Sequence, residues 1–194
     1  MIISMYSGKG GVGKSFLTAQ LIHNGFEAID LDPFGDIFDR YEDKSIYLNE
    51  DEEIPDLSSI KSDLVLDFKG GKDKRIHNAL DQSDLLIIPV IPSRETVSTT
   101  IKTIDYIDHD IPKLFVFNIV GKKSNLEQTI EVLNDMIKDF KYSIVRYSEA
   151  YLTSVNNSQG IIQMSKEKGI RGGAYTTHAR EIQQFLNKVE EFRV

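Results

Sequence analysis

Apolar residues along this chain come in short unbroken runs, separated by stretches in which they recur at helical spacing. The runs Met1 to Tyr6, Phe26 to Asp32, Asp63 to Phe68, Leu85 to Val90 and Lys113 to Asn118 read as strands, that at 63–68 as buried and that at 85–90 as continuously apolar, as inside a parallel sheet. Weaker runs at 46–48 and 142–146 read as further strands. Helical spacing begins near Lys14 and returns over 73–82, 94–108, 124–139 and 174–191; in the last of these Ile182, Phe185, Leu186 and Val189 form one stripe. Strands that alternate with helices predict an α/β fold, a mostly parallel central sheet flanked by helices on both faces. Residues 33–62 are acidic and weakly periodic, and Asn49 to Glu53 reads as a solvated loop. No repeat or linker divides the chain, so one domain over residues 1–194 is expected.

Composition narrows the chemistry. The chain has no cysteine, which removes disulfides, thiolate metal sites and thiol nucleophiles. The four histidines, His23, His77, His109 and His178, show no metal-ligand spacing. Net charge is −7 and uneven: residues 1–97 carry 10 Lys/Arg against 18 Asp/Glu, and residues 98–194 carry 13 against 12. A strongly basic nucleic-acid footprint is therefore absent overall, and any such contact must come from a local patch in the second half. No apolar stretch is long enough for a membrane-spanning helix, and the first residues lack a basic leader, so a cytoplasmic protein is expected.

The most informative stretch is Gly8-Lys9-Gly10-Gly11-Val12-Gly13-Lys14-Ser15, which lies between the first strand and the first helix. This is the context a phosphate-binding loop requires. Glycines let backbone N–H groups turn inward around phosphate oxygens, and the helix start adds its dipole and unpaired donors. Lys14 is expected to reach the β- and γ-phosphates, and the Ser15 hydroxyl to ligate Mg²⁺. The whole loop with Phe16 forms the candidate nucleotide-binding set. Ligands of a parallel α/β sheet sit beyond the carboxyl ends of its strands, so acids there are the next candidates. Asp67 ends an apolar strand and can hold Mg²⁺ through a water; Asp67-Phe68-Lys69-Gly70 also places a glycine N–H where a γ-phosphate would lie. Asp30, Asp32 and Asp36 form a second acidic group at the end of the second strand.

Lys9 refines the picture. A loop reading Lys-Gly-Gly-Val-Gly-Lys-Ser resembles the deviant Walker A motif of the ParA/MinD family of P-loop ATPases. That resemblance implies a P-loop NTPase fold, ATP and Mg²⁺ as cofactors, and an ATP-dependent homodimer in which Lys9 reaches the partner's nucleotide. Asp30-Leu31-Asp32-Pro33-Phe34-Gly35-Asp36 resembles the family's Asp-x-Asp-Pro-Gln-Gly stretch. The acid matching Asp32 orients the attacking water there, and Asp36 matches an acid near Mg²⁺ in the related nitrogenase iron protein. Phe34 stands where relatives carry glutamine, and Asp30 is assigned a structural role. The resemblance implies catalytic roles for Lys9, Lys14 and Asp32, metal roles for Ser15, Asp36 and Asp67, and an adenine contact for Asn118. An Asn amide offers both a donor and an acceptor, and the guanine-reading Asn-Lys-x-Asp pattern is absent, so ATP is favoured over GTP.

Lys166, Lys168, Arg171 and Arg180 gather near the C-terminus, with Gly169 to Gly173 read as a mobile loop. Non-specific DNA binding needs only such clustered cations, and ParA-type relatives bind DNA through this part of the chain. The last helix carries Glu181, Glu190 and Glu191 against its basic residues, so membrane binding is not expected. The reading is a ParA-like ATPase that partitions or positions DNA or another cargo, with slow hydrolysis stimulated by a ParB-like or other adaptor. The alternatives are an ATP-dependent ligase of the dethiobiotin synthetase type and an ATP-binding regulator that does not hydrolyse.

Overall fold

The computed structural model describes residues 1–107, 109–118, 123–146, 148–167 and 170–193, with the backbone alone at 94, 123, 124, 170 and 171. The strands are β1 (Ile2–Met5), β2 (Glu27–Leu31), β3 (Ser45–Tyr47), β4 (Leu64–Phe68), β5 (Leu85–Val90), β6 (Lys113–Asn118) and β7 (Lys141–Val145). They form one sheet in the order β3-β2-β4-β1-β5-β6-β7, and every pairing is parallel. The helices are α1 (Lys14–His23), α2 (Ile37–Arg40), α3 (Ile76–Asp81), α4 (Arg94–Ile107), α5 (Lys123–Met136), α6 (Glu149–Asn156), α7 (Ile161–Ser165) and α8 (Ile170–Glu190).

Two apolar layers sandwich the sheet because successive strand residues point to opposite faces. Ile3, Met5, Ala28, Val65, Leu85, Ile87, Leu114 and Val116 pack against α1, α6, α7 and α8. Ile29, Leu31, Leu66, Phe68, Leu86, Ile88, Phe115 and Phe117 pack against α3, α4 and α5. Both faces are covered, which explains why β4, β5 and β6 read as continuous apolar runs. From β1 the chain moves to one side into β2, and from β4 it crosses to the other side into β5. That reversal opens a crevice at the carboxyl ends of β1 and β4.

The main departure from the sequence expectation lies between β7 and the last helix. Helices α6 and α7 occupy this stretch, and α8 starts at Ile170, so residues 170–173 form its first turn and are not a mobile loop. Gly172 serves close packing. A Cβ there would lie 2.0 Å from the Glu167 carbonyl oxygen, so only glycine lets α8 approach the end of α7. Among the described residues no helix is long and apolar enough to cross a membrane.

The α7–α8 contact yields a stability prediction. Gly172→Ala should lower the urea unfolding free energy by about 1–3 kcal/mol, as overpacking against backbone does. Gly173→Ala, where a Cβ meets nothing within 4 Å, is the control and should be neutral or slightly stabilising.

Candidate nucleotide site

Helix α1 begins directly from the glycine loop. Gly13 occupies its N-cap with φ 92°, and no side chain caps the helix start. The first N–H groups of α1 are thus left for a ligand. The rest of the loop is braced from two sides. The Gly8 N–H donates to Thr103 Oγ1 at 3.1 Å on α4, and Asn118 Nδ2 donates to the Val12 carbonyl at 3.0 Å. Asn118 is buried at the end of β6. Its hold on the loop is a contact that sequence reasoning missed, because the hundred-odd residues between the partners hide it.

Beneath the loop lies the feature that most needs a ligand. Register places Met5, Asp67 and Asp30 side by side across β1, β4 and β2, at the end of β1 and one residue short of the ends of β4 and β2. Asp67 is fully buried, and neither of its carboxylate oxygens accepts a hydrogen bond. Burial pushes its pKa up to about 7. The Ser15 hydroxyl beside it favours the ionised form, though outside hydrogen-bonding geometry, and Lys14 acts in the same sense. Asp30 and Asp32 add a smaller push upward. Lys14 is also buried, which lowers its pKa, while Asp67 and then Asp32 raise it. A buried carboxylate without partners beside a hydroxyl and an ammonium fits a hydrated Mg²⁺ with its phosphate. Among the described residues no three His, Cys, Asp or Glu side chains gather to hold a metal alone, so a cation here would complete its shell with water or ligand oxygens.

The second acidic group forms a turn built by Asp30. Its Oδ1 accepts from the Asp32 N–H and its Oδ2 from the Phe38 N–H, both at 3.1 Å. Asp32 in turn accepts from the Phe34 N–H at 3.0 Å, which turns the Phe34 side chain outward. Phe34 is 96% exposed, the most exposed large apolar side chain described. Asp36 is engaged by the Arg40 guanidinium at 2.7 Å, so a metal role for it would compete with that ion pair.

Lys9 points away from its own loop. Its ammonium pairs with Glu95 on α4 at 3.0 Å, and Glu95 is 80% exposed. Such a pair is worth about 1 kcal/mol or less, so a better anion can take the lysine from it. On the other side, Gly70 rests on the phosphate loop, where a Cβ would fall 2.7 Å from the Gly10 nitrogen. The Tyr6 hydroxyl, just ahead of the loop, donates to the Gly71 carbonyl at 2.8 Å. The loop after β4 therefore touches the phosphate loop directly. The Phe16 ring leans on Tyr151 of α6 at 4.2 Å between centroids, and Glu181 of α8 accepts from the Arg146 N–H at 3.0 Å and from its guanidinium. Glu181 is buried, a role its place in a charged helix does not announce.

Of the basic cluster, Lys166 at the end of α7 and Arg180 on α8 are exposed. Lys168 and the Arg171 side chain lie outside the described residues.

No protein-family profile matches the chain, and no curated protein does. Solved structures do. BB_S35 of Borrelia burgdorferi B31, named for plasmid partition and bound to AMPPNP, superposes with TM-score 0.65 at 17% identity, covering 96% of this chain and 98% of that one. The ATP complex of a single-substitution variant of McdA from Cyanothece gives TM-score 0.70 at 11% identity over 95% and 94% of the two chains. The septum site-determining protein MinD of Pyrococcus horikoshii, complexed with Mg-ADP, gives 0.62 at 17% over 95% and 96%.

Asp67 yields a pH prediction. Its folded pKa lies above the unfolded value, so between about pH 4 and 7 the folded protein binds the extra proton and loses stability as pH rises. Above about pH 7 the ionised group destabilises the ligand-free fold by on the order of 4 kcal/mol. Asp67→Asn should flatten this part of the pH profile and raise the urea midpoint at pH 8 relative to wild type, while losing any Mg²⁺-dependent gain in nucleotide affinity.

Proposed function

We propose that this chain, which has the fold of ParA/MinD-type partition and positioning ATPases, is itself an ATP-hydrolysing switch that works as a nucleotide-dependent homodimer. The observation that carries the reading is the buried, partnerless Asp67 beside Lys14 and Ser15, directly under a glycine loop that opens α1. That arrangement has a use once a triphosphate and Mg²⁺ arrive and is costly otherwise.

Each residue has a part. Backbone N–H groups of Gly8 to Ser15 and Phe16 wrap the phosphates, and Lys14 neutralises charge at the β- and γ-positions. Ser15 and Asp67 would hold Mg²⁺, with Asp36 nearby once released from Arg40, and a cation held there would supply positive charge to the phosphate oxygens. Asp32 orients the attacking water, a matter of placement more than basicity. The adenine contact is assigned to Asn118, at the end of β6 beside the segment that follows β7, where its amide already holds the Val12 carbonyl. Lys9 leaves Glu95 and reaches the phosphoryl oxygens of the partner's nucleotide, so hydrolysis is completed by dimerisation and slow without it.

Phe34 fits this reading. A wetted phenyl ring in the same turn as Asp32 gains by burial when a second copy closes on the nucleotide face. The dimer would act in the cytoplasm on DNA or another cargo, with an adaptor of the ParB kind accelerating hydrolysis. Lys166, Lys168, Arg171 and Arg180 are the candidate DNA contacts.

Light scattering with ADP, with ATP and with ATP on Lys9→Ala tests the core of this reading. The expected result is a dimer only in wild type with ATP; a monomer in every condition would sink it. Phe34→Ala should weaken the ATP dimer by about tenfold or more while leaving nucleotide affinity of the monomer unchanged. DNA retention should require ATP and fall steeply between low and physiological salt.

A further inference from the structure

The proposed mechanism leaves Arg75 unused, although it is among the most heavily bonded side chains described. Arg75 occupies the N-cap of α3, and both it and Asp73 are buried. Its Nε donates to Asp73 Oδ1 at 3.0 Å and its Nη2 to Asp73 Oδ2 at 2.7 Å, a fork on one carboxylate. The remaining donors leave that element. Nη2 reaches the Leu31 carbonyl at 3.2 Å, and Nη1 reaches those of Asn49 at 2.6 Å and Leu48 at 3.5 Å.

These acceptors belong to separate segments. Leu31 is the last residue of β2 and directly precedes Asp32. Leu48 and Asn49 lead into the acidic strap Asn49 to Glu53, whose Glu50 also pairs with Lys69 behind β4. Asp73 belongs to the loop that begins at Gly70, the residue resting on Gly10 of the phosphate loop. One planar, rigid guanidinium thus joins the loop that rests on the phosphate loop to the backbone that carries Asp32 and to a surface strap.

We propose that Arg75 is a positioning residue: it sets Asp32 in register with the loop behind Asp67 and passes displacement of that loop to the acidic strap. The inference rests on the nucleotide reading above. Movement of Gly70 and Gly71 on nucleotide binding shifts Asp73, the fork keeps Arg75 rigid with it, and the Leu31 and Asn49 carbonyls follow. The strap is then a surface on which a partner can sense the occupied site.

Hydrogen exchange by mass spectrometry on the full chain, with and without AMPPNP and Mg²⁺, tests it. Wild type should gain protection at 8–15, at 30–36 and at 48–53. The double variant Asp73→Asn/Arg75→Gln removes both charges together, so no buried ion is left alone; Arg75→Lys keeps the charge, loses the fork and serves if the double variant does not fold. Either variant should keep protection at 8–15, lose it at 30–36 and 48–53, and show kcat for ATP reduced about tenfold or more with KM changed less than about threefold. Protection at all three segments with kcat unchanged in the variants overturns the relay alone. No protection at 8–15 in wild type overturns the nucleotide reading and the relay with it.

Discussion

The site depends on one row of the sheet. Parallel pairing in a single register sets Met5, Asp67 and Asp30 abreast, at or within a residue of the ends of three strands. From that row the phosphate loop, the Gly70 loop and the Asp32 turn leave the sheet at the same level, and the Gly70 loop rests on the phosphate loop. A slip of one residue in β4 would turn Asp67 to the opposite face and replace it with an apolar neighbour. The apolar layers on both faces oppose such a slip, because every residue of β4 is buried.

The row concentrates cost as well as chemistry. Asp30 offsets its burial by accepting two backbone N–H bonds, and those bonds shape the turn that carries Asp32. Asp67 has no such partners. The two acids sit at matching positions in neighbouring strands, yet one is satisfied within the protein and the other is left to an outside cation. The buried Arg75–Asp73 pair illustrates a third solution, in which a fork and backbone carbonyls use the polar groups of both residues.

Much of this was legible in the sequence, and the limits have physical causes. The five longest strand-like runs became β1, β2, β4, β5 and β6, most plainly at β5, where a strand buried on both faces leaves an unbroken apolar signal. The glycine loop was legible because its function demands particular residues at particular spacing. By contrast, α6 and α7 are short and half-buried, so their periodicity is diluted, and Ser148 capping α6 is a signal that only becomes specific once the helix is known. The glycines near 172 suggested freedom, but one of them is there because a neighbouring carbonyl leaves no room. Asn118 on Val12, Thr103 on Gly8 and Arg75 on Leu31 join residues far apart in the chain, and no local pattern encodes such pairs.

The Lys9–Glu95 pair carries a further consequence. When Lys9 is drawn away, Glu95 stays on the outer surface of α4, no longer neutralised. The face of that helix would then be more negative by one charge. An event at the phosphate loop would thereby be written on a neighbouring helix as an electrostatic mark, legible from outside.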